Sequence, residues 1–257
     1  MAFPYSWSQL RRYYRRKVAN LLFTRPLMIK PECPFISFTF DDFPRSALLA
    51  GGTILNRFGL SGTYYASLGL LGKMAPPGNI FVLDDLRLLL AAGHELGCHT
   101  FSHCHSWETD TATFEGSVVE NRNAVRKLIP NHEFKSFSYP ISEPRPLTKS
   151  RVAEYFLCCR GGGQTLNVGL TDLNQLKAYF LEKSLGSVQT VRDLIDLNRR
   201  LRGWLIFATH DISDTPTAFG CTPAFFEGVV KYAVDSGARI LPVMRALEAL
   251  RGSRPAV

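Results

Sequence analysis

The sequence lacks the features that would assign it to several special classes of protein. No apolar run reaches the roughly 18 residues that a membrane-spanning helix needs, and we find no internal repeat or low-complexity segment. Neither a GxGxxG fingerprint nor a Walker loop follows a predicted strand, so a nucleotide cofactor has no support. The N-terminal residues contain no small-residue cleavage site, and we therefore expect no secretory signal peptide. These absences predict an ordinary globular protein located in the cytoplasm.

Paired cysteines are missing as well. The 257 residues include six cysteines, and none of them belongs to a CxxC motif. In a chain of this length without an expected export signal, this usage is typical of reduced thiols. A disulfide framework is the less favoured alternative.

Acidic residues are absent from the first 30 positions, which hold seven basic side chains. The whole chain carries a formal charge of +8, yet the residues after position 30 are nearly balanced, with 23 basic and 22 acidic groups. A nucleic-acid-binding protein would spread basic residues over its folded surface, so this pattern predicts no nucleic-acid partner. The positive charge belongs instead to an N-terminal leader.

Residues 1–34 are predicted to form this leader, a basic and aromatic segment with a helix over Ser6–Phe23. Pro26, Pro31 and Pro34 then separate it from the body of the protein. In one interpretation, the helix packs on the outside of the domain. In the other, it lies on an anionic membrane surface, because basic and aromatic residues together suit such a surface. The second interpretation predicts peripheral contact with the inner face of the membrane.

From Phe35 onward, short β-like runs alternate with helical ones, which favours a parallel sheet. This pattern predicts an α/β fold, an irregular (β/α) barrel of about seven strands that forms a single domain over residues 35–252. An open doubly wound sheet is the alternative. The predicted strands are Phe35–Phe40, Thr63–Ala66, Glu95–His99, Lys135–Tyr139, Phe156–Cys159, Tyr179–Leu181, Trp204–Thr209 and Arg239–Val243. The predicted helices are Asp84–Ala92, Thr113–Ile129, Thr148–Tyr155, Ser187–Leu201, Pro223–Ser236 and Met244–Arg251.

Polar residues follow three of these strands, where a parallel barrel carries its chemistry. The run Phe35–Phe40 ends in Asp41 and Asp42, and adjacent carboxylates after a buried strand are costly unless a cation neutralises them. The two can divide the work, one binding a metal and the other moving a proton. A helix N-cap or a solvated turn is the alternative interpretation.

The second cluster contains four of the six histidines, all within residues 93–105. His99 and His103 are four residues apart, which on a helical turn places both imidazoles on one face, as in metal-binding pairs. Neutral imidazole is a good ligand for zinc and related divalent ions. Cys98 and Cys104 could supply thiolates to a closed structural zinc site, but packing roles are favoured for them.

The third cluster is His210, which follows the last long apolar strand. A lone histidine at such a place is usually a satisfied polar group, yet its ordinary pKa of about 6.5 suits an acid that protonates an amine leaving group. Asp42, His99 and His103 would leave open positions on a metal, as catalytic sites do. Asp41 would then accept a proton from the attacking water. This set predicts hydrolysis of an amide or an ester.

The order of these motifs resembles the NodB-homology polysaccharide deacetylases, which form carbohydrate esterase family four. The matching residues are Thr39-Phe40-Asp41-Asp42, then His99-Thr-Phe-Ser-His103, then an apolar strand ending in His210. The resemblance extends from about Pro34 to about Leu250, and the segments 59–65 and 93–97 also look like parts of that family.

The resemblance implies a distorted (β/α) barrel and the removal of acetyl groups from N-acetylated sugars. It implies that Asp41 is the base and His210 the acid. Asp42, His99 and His103 would hold a divalent metal, for which zinc is the expected ion.

The third motif of the family, Arg-x-Pro-Tyr, departs from its usual form in this chain. Phe137-Ser138-Tyr139-Pro140-Ile141 stands in its place, so Ser138 replaces the arginine that would orient the base. Without this cation we expect the pKa of Asp41 to be less depressed. Tyr139 and Ile141 are assigned to the substrate pocket, with the Ile141 N–H as an oxyanion donor.

The fourth motif is not recognisable, although Asp172 is a candidate support for His210. We therefore hypothesise a metal-dependent deacetylase that acts on an N-acetylated saccharide or a lipid-linked saccharide precursor. A deformylase or an O-acetyl esterase with the same site is a variant of this hypothesis. A non-catalytic metal- or glycan-binding relative and a structural zinc protein are alternatives from other classes.

Overall fold

A computed structural model of the protein describes residues 7–141 and 143–252. The strands in these residues are β1 (Pro26–Ile29), β2 (Phe35–Phe40), β3 (Thr63–Ala66), β4 (Met74–Ala75), β5 (Gly78–Asn79), β6 (Glu95–Cys98), β7 (Ser136–Ser138), β8 (Cys158–Gly163), β9 (Gly169–Asp172), β10 (Leu176–Phe180), β11 (Trp204–Thr209) and β12 (Arg239–Ile240). The α-helices are α1 (Trp7–Leu21), α2 (Thr53–Arg57), α3 (Leu83–Ala91), α4 (Thr111–Leu128), α5 (Pro146–Val152), α6 (Val188–Leu201), α7 (Pro223–Asp235) and α8 (Val243–Gly252). A π-helix at Ala47–Gly52 leads into α2, and 3₁₀ turns lie at Leu68–Leu70 and Leu181–Ser184. No helix within the described ranges combines the length and the hydropathy that crossing a membrane requires.

Seven parallel strands close a barrel in the described part of the chain. Their order is β2, β3, β6, β7, β8, β10 and β11, and β11 pairs back onto β2 along its whole length. The short strand β12 pairs with Phe35 and Ile36 at the beginning of β2, whereas β3 pairs with Thr39 and Phe40 at its end. This extra strand makes the barrel irregular, and the predicted (β/α) barrel of about seven strands is confirmed.

The core packs on both faces of the barrel wall. Strands β2 and β11 are buried at every position, as expected for parallel strands that are covered on both sides. On the outer face, Phe38 stacks on Phe207 with ring centroids 5.6 Å apart and meets Phe226 of α7 at 5.5 Å. A separate apolar cluster joins Phe35 and Trp204, the first residues of β2 and β11, to side chains of β1 and α8. The barrel is therefore filled at the amino ends of its strands, and polar residues occupy the carboxyl ends.

The sequence pattern predicts β2, β3 and β11 to the residue, but it misses four strands, the two-residue strands β4 and β5 and the longer strands β1 and β9. β1 and β9 pair antiparallel, from Pro26 opposite Asp172 to Ile29 opposite Gly169. The prolines of this region indicate a break, yet β1 begins at Pro26, because a proline is tolerated as the first residue of a strand. The pattern also ends β8 at Cys159, because the run of glycines that follows resembles a loop. The strand instead continues through Arg160 to Gly163.

Helix α1 is confirmed as a helix, and Lys149 of α5 anchors its C-terminal end. The Lys149 Nζ is fully buried and donates hydrogen bonds to the carbonyl oxygens of Ala19 at 2.6 Å and Leu22 at 2.9 Å. These bonds satisfy carbonyls that a helix end leaves without partners. The same Nζ lies 2.5 Å from Asp172 Oδ2 on β9. The domain boundary at residue 34 stays a prediction. Strand β1 precedes that residue and pairs with β9, which lies beyond it.

Candidate active site

Residues at the carboxyl ends of β2, β6, β7, β8 and β11 surround one cavity of about 1530 Å³. In parallel barrels this end of the strands carries the catalytic residues. The side chains lining the cavity include every residue that the sequence assigns to the site: Asp41, Asp42, His99, His103, Tyr139, Ile141 and His210. The structure thus brings together segments that are far apart in sequence, and the roles of the individual residues stay predictions.

Asp42, His99 and His103 form a cluster that could hold a metal ion. Their candidate ligand atoms all lie within 4.8 Å of one another. The Asp42 Oδ1 is 3.0 Å from the His103 Nε2 and 3.4 Å from the His99 Nε2. Asp42 and His99 are buried, and His103 is half-buried. One carboxylate oxygen and two imidazole nitrogens make three protein ligands, the number that catalytic zinc sites typically use.

The hydrogen bonds around this cluster fit a cation at its centre. The His99 Nδ1 lies 2.7 Å from the Ser138 carbonyl oxygen, and since a carbonyl can only accept, this nitrogen carries the proton. The His99 Nε2 therefore directs a lone pair toward Asp42. In metal sites, a hydrogen bond from the other ring nitrogen of a histidine typically fixes the tautomer and the orientation of the ring in this way. The Asp42 Oδ1 is buried and accepts no well-aligned hydrogen bond from the described residues. A carboxylate oxygen and an imidazole lone pair that face each other in a buried site need a cation between them.

The charges of the three residues depend on one another. Burial by itself would raise the pKa of Asp42, but the close contact with the His103 ring and the charges of both histidines hold that pKa well below its usual range. Burial lowers the pKa of His99 to about 4, so this imidazole is neutral at physiological pH, the form that binds metal. Burial also acts to lower the pKa of His103, but the close contact with Asp42 and the charge of that carboxylate raise it overall.

The helical turn predicted for His99 and His103 is wrong. Strand β6 ends at Cys98, and both histidines lie in the irregular segment before α4. The backbone is left-handed at Thr100 (φ 60°) and at His103 (φ 52°), and Asp42 on the facing loop shares this conformation (φ 59°). These turns, rather than a helical period, direct the rings toward Asp42. Such residues cost about 1–3 kcal/mol each and are concentrated at functional sites.

Asp41 is paired with a cation that sequence reasoning missed. Arg160 on β8 forms a short ion pair with the Asp41 Oδ1, and its Nη2 also donates a hydrogen bond to the Ser138 Oγ at 2.7 Å. Burial by itself would raise the pKa of Asp41, but the charges of Arg160, His99 and His210 lower it overall. The expectation that this pKa is less depressed for want of an arginine is therefore wrong.

The missing arginine of the third motif is replaced from the neighbouring strand. Ser138 of β7 and Arg160 of β8 are direct partners in the parallel ladder, so their side chains point to the same side of the sheet. Arg160 is only 1% exposed. One sequence signal was available. Arg160 directly follows the predicted apolar strand 156–159 and precedes three glycines. An arginine that continues a buried strand needs a buried acidic partner.

His210 follows β11 and is oriented by the loop after it. Its Nδ1 lies 3.2 Å from the Phe219 carbonyl oxygen, and its ring meets those of Phe180 at 6.2 Å and Phe219 at 5.5 Å. Asp211 fixes this loop, because its carboxylate accepts hydrogen bonds from the Thr217 N–H at 2.8 Å and the Thr217 hydroxyl at 2.5 Å. The Nε2 of His210 is thereby available to a ligand in the cavity.

Asp172 does not support His210. Its carboxylate pairs with Lys149 and accepts a hydrogen bond of 2.9 Å from the Arg25 N–H. The suggested Asp172–His210 pair is therefore wrong, and Asp172 instead joins the leader to β9.

Tyr139 and Ile141 lie where β7 leaves the barrel. Tyr139 is 2% exposed, its ring meets Phe137 at 4.9 Å, and burial raises its pKa well above the usual range. Ile141 is 56% exposed and has a left-handed backbone (φ 58°). Both residues line the cavity, and their assignment to substrate and oxyanion stays a prediction.

The cysteines near the histidines lie outside the candidate metal cluster. The Cys98 Sγ accepts a hydrogen bond from the Asn121 amide at 3.2 Å, and burial raises its pKa to about 12. The candidate cluster contains neither Cys98 nor Cys104, and all six cysteines are free.

Comparisons with known proteins agree with this barrel and its motifs. Residues 29–155 match the polysaccharide deacetylase family model, whereas no curated protein matches the chain.

Solved structures extend the likeness over most of the chain. The Xyl-CE4 domain of a multidomain xylanase from the hindgut metagenome of Trinervitermes trinervoides has a TM-score of 0.61 and 18% identity, over 88% of this chain and 95% of that one. A family 4 acetyl xylan esterase from Clostridium thermocellum, in complex with a cobalt ion, has a TM-score of 0.60 and 19% identity, over 85% of this chain and 92% of that one. A family 4 pseudoenzyme from Bacillus anthracis has a TM-score of 0.58 and 11% identity, over 85% of this chain and 66% of that one. At these identities the likeness shows the fold, and together with the family model it confirms the resemblance seen in the motifs: residues 29–155 of the chain belong to the polysaccharide deacetylase family.

Proposed function

We propose that the protein is a metal-dependent hydrolase that removes an N-acetyl group from an acylated saccharide. One observation carries the proposal. A buried carboxylate held by an arginine, Asp41, lies beside a three-residue metal cluster that does not use it, and His210 lines the same cavity. A protein that only bound a metal or a glycan would need neither of these two groups.

Asp41 is the proposed base. Because Arg160 fixes Asp41 Oδ1 and keeps this carboxylate ionised, the group is ready to accept a proton from the attacking water. Asp42, His99 and His103 would hold a divalent ion, and this ion, when bound, supplies Lewis-acid stabilisation of the charge that develops on the acyl oxygen.

His210 is the proposed acid. With Nδ1 engaged by the Phe219 carbonyl, Nε2 can deliver a proton to the departing sugar nitrogen. The Ile141 N–H is the proposed second donor to the oxyanion, and one such donor is typically worth about 3–4 kcal/mol in the transition state. Tyr139 is proposed to shape the pocket beside it.

Zinc is the proposed ion, since two imidazoles and a carboxylate suit it. For the substrate, we propose a lipid-linked acylated saccharide handled at the cytoplasmic face of the membrane. The exposed side chains Leu21, Leu22 and Phe23 at the end of α1 support peripheral contact, because they follow the basic residues of that helix in the sequence. Sedimentation with anionic vesicles, and not with neutral ones, is the expected result.

The experiment that tests the enzyme assignment measures the release of acetate and of formate from a panel of N-acetylated, N-formylated and O-acetylated oligosaccharides and glycolipids. We expect release by the zinc-loaded protein and its loss after treatment with a chelator. Asp41→Asn should abolish release while the variant still binds one equivalent of zinc. Equal metal content without release from any acylated sugar would contradict catalysis and favour a binding protein. Release of formate, or of acetate from O-acetylated xylan alone, would redirect the assignment to a deformylase or an esterase.

A further inference from the structure

Helix α1 forms one wall of the cavity that contains the candidate active site. Lys149 holds the C-terminal end of the helix through two carbonyl oxygens, so the helix is fixed to the body of the protein. Six of its residues line the cavity. Three of them are the apolar or aromatic residues Leu10, Tyr13 and Tyr14. The other three are Arg11, Arg15 and Lys17, which we call the α1 cations. The leader is therefore part of the pocket.

Positive charge is in excess on this part of the lining. Lys183 adds a fourth cation, whereas Glu143 and Glu182 are the carboxylates of the lining outside the Asp41–Asp42 pair. The α1 cations form no ion pair with any other side chain that the structure describes. Asp41 is paired with Arg160, and Asp42 lies against His99 and His103, so neither of these carboxylates forms an ion pair with the α1 cations.

Arg15 shows how closely these cations lie together. Burial lowers the pKa of Arg15, and the charges of Arg11 and Arg145 lower it further, although Glu108 and Glu143 act in the opposite sense. Its Nε is buried and has no hydrogen-bond partner among the described residues. Cations held together at the edge of a cleft attract anions and are stabilised by them.

We propose that the α1 cations bind a phosphate group carried by the acylated saccharide. The proposal rests on the proposed deacetylase function and narrows its substrate class to phosphorylated sugars. An arginine guanidinium can form two parallel hydrogen bonds to phosphate oxygens, and a lysine adds a point charge. Tyr13 and Tyr14 are each 62% exposed, and their rings offer apolar contact area beside the phosphate. The phosphate holds the sugar so that its acyl group reaches Asp41.

Binding measurements test this substrate class without requiring turnover. The dissociation constants of N-acetylglucosamine 1-phosphate and N-acetylglucosamine are measured by calorimetry on the full chain with Asp41→Asn, which prevents hydrolysis. We expect the phosphorylated sugar to bind at least ten-fold more tightly. This ratio should fall toward one when Arg11, Arg15 and Lys17 are all changed to Gln.

The matched control removes the same charge elsewhere. Arg200, Lys231 and Arg245 are exposed on α6, α7 and α8 and do not line the cavity, and the triple change of these residues to Gln should keep the ratio. A ratio near one before any change to α1, or an equal loss in the control, would overturn the proposal. A further ligand, N-acetylglucosamine linked to a polyprenyl phosphate in detergent micelles, distinguishes the source of the phosphate. Tighter binding of this lipid than of the soluble ester indicates a lipid-linked substrate. Equal binding of the two indicates a free sugar phosphate.

Acetate release from the same sugars by the unmodified protein is measured separately, so the two proposals can fail independently. Intact phosphate preference without any acetate release would contradict the deacetylase function and leave the phosphate site standing. Acetate release with no phosphate preference would support the deacetylase function and overturn the phosphate site.

Discussion

Arg160 and Asp41 form a buried ion pair across the barrel, between β8 and the end of β2, which are not neighbouring strands. The pair restores, from a different strand, the cation that Ser138 lacks. The candidate base is therefore held in place although the third motif of the family is altered. This relationship removes the main sequence-based reason to regard the chain as inactive.

Loss of the guanidinium should lower activity without loss of metal. In Arg160→Met, we expect kcat for acetate release to fall about 10²-fold or more, because a positioned base contributes about 10²–10⁴-fold. Arg160→Lys should retain part of the rate, since it keeps the charge and loses only the second hydrogen bond. Zinc content, measured by mass spectrometry, should stay at one equivalent. Unchanged kcat in the Met variant would contradict a positioning role for Arg160.

The neighbouring position offers a reciprocal test. Because Ser138 and Arg160 are ladder partners with their side chains 2.7 Å apart, Ser138→Arg combined with Arg160→Ser exchanges the two groups. We expect the double variant to recover at least ten-fold of the kcat that Arg160→Ser loses alone. Recovery would show that the position of the charge matters and the strand that supplies it does not. Two independent, additive losses would argue against this interpretation.

The anchor of α1 should contribute measurably to stability. Lys149→Met leaves Asp172 without its buried cation and two helix carbonyls without a donor. We expect a loss of about 3–5 kcal/mol in the free energy of unfolding, the usual range for one broken partner of a buried pair. Urea denaturation measures the loss, and limited proteolysis should show faster cleavage within α1.

The exposed Lys231 provides the matched control for this change. Lys231→Met should leave both stability and cleavage unchanged within about 0.5 kcal/mol. If Lys149→Met behaves in the same way, α1 is not held by this contact.

Stability should also depend on pH through His94, which lies outside the metal cluster. His94 is 4% exposed, its Nδ1 accepts a hydrogen bond from the Gly62 N–H at 3.0 Å, and burial lowers its pKa to about 4. In the unfolded chain the pKa is about 6.5, so the unfolded state binds the proton first as pH falls. His94 therefore contributes its full stability above about pH 6.5 and loses it progressively down to about pH 4, up to about 3 kcal/mol.

The comparison variant for this prediction is His94→Asn, whose side-chain oxygen can accept the same hydrogen bond but does not titrate. Urea unfolding of both proteins between pH 4.5 and 7.5 should give a flatter stability profile for the variant. The other histidines titrate in both proteins and cancel in the difference. Parallel profiles would show that His94 is not held neutral by the fold.

Much of the barrel could be predicted from sequence because its central strands are unambiguous. β2 and β11 are apolar runs buried on both faces and followed by polar residues, which fixes their bounds and their role. The two longer strands that were missed, β1 and β9, owe their existence to distant partners. β1 becomes a strand only by pairing with β9, about 140 residues later, and no local pattern reports such a pairing.

The same limit explains what was missed at the site. Residue types and order were enough to identify Asp42, His99 and His103 as one group, but not the backbone that brings them together. The left-handed turns at Thr100 and His103 depend on the surrounding loops, and a four-residue spacing imitates a helix. Arg160 was missed because its function depends on the register between β7 and β8 rather than on its own sequence neighbours.

Anomalous diffraction from crystals of the zinc-loaded protein tests the central claim most directly. We expect one strong peak at the zinc edge, about 2.0–2.2 Å from the ligand atoms of Asp42, His99 and His103, with Asp41 next to it but not bound to it. No peak at this cluster, or a peak bound by cysteine sulfur instead, would contradict the account.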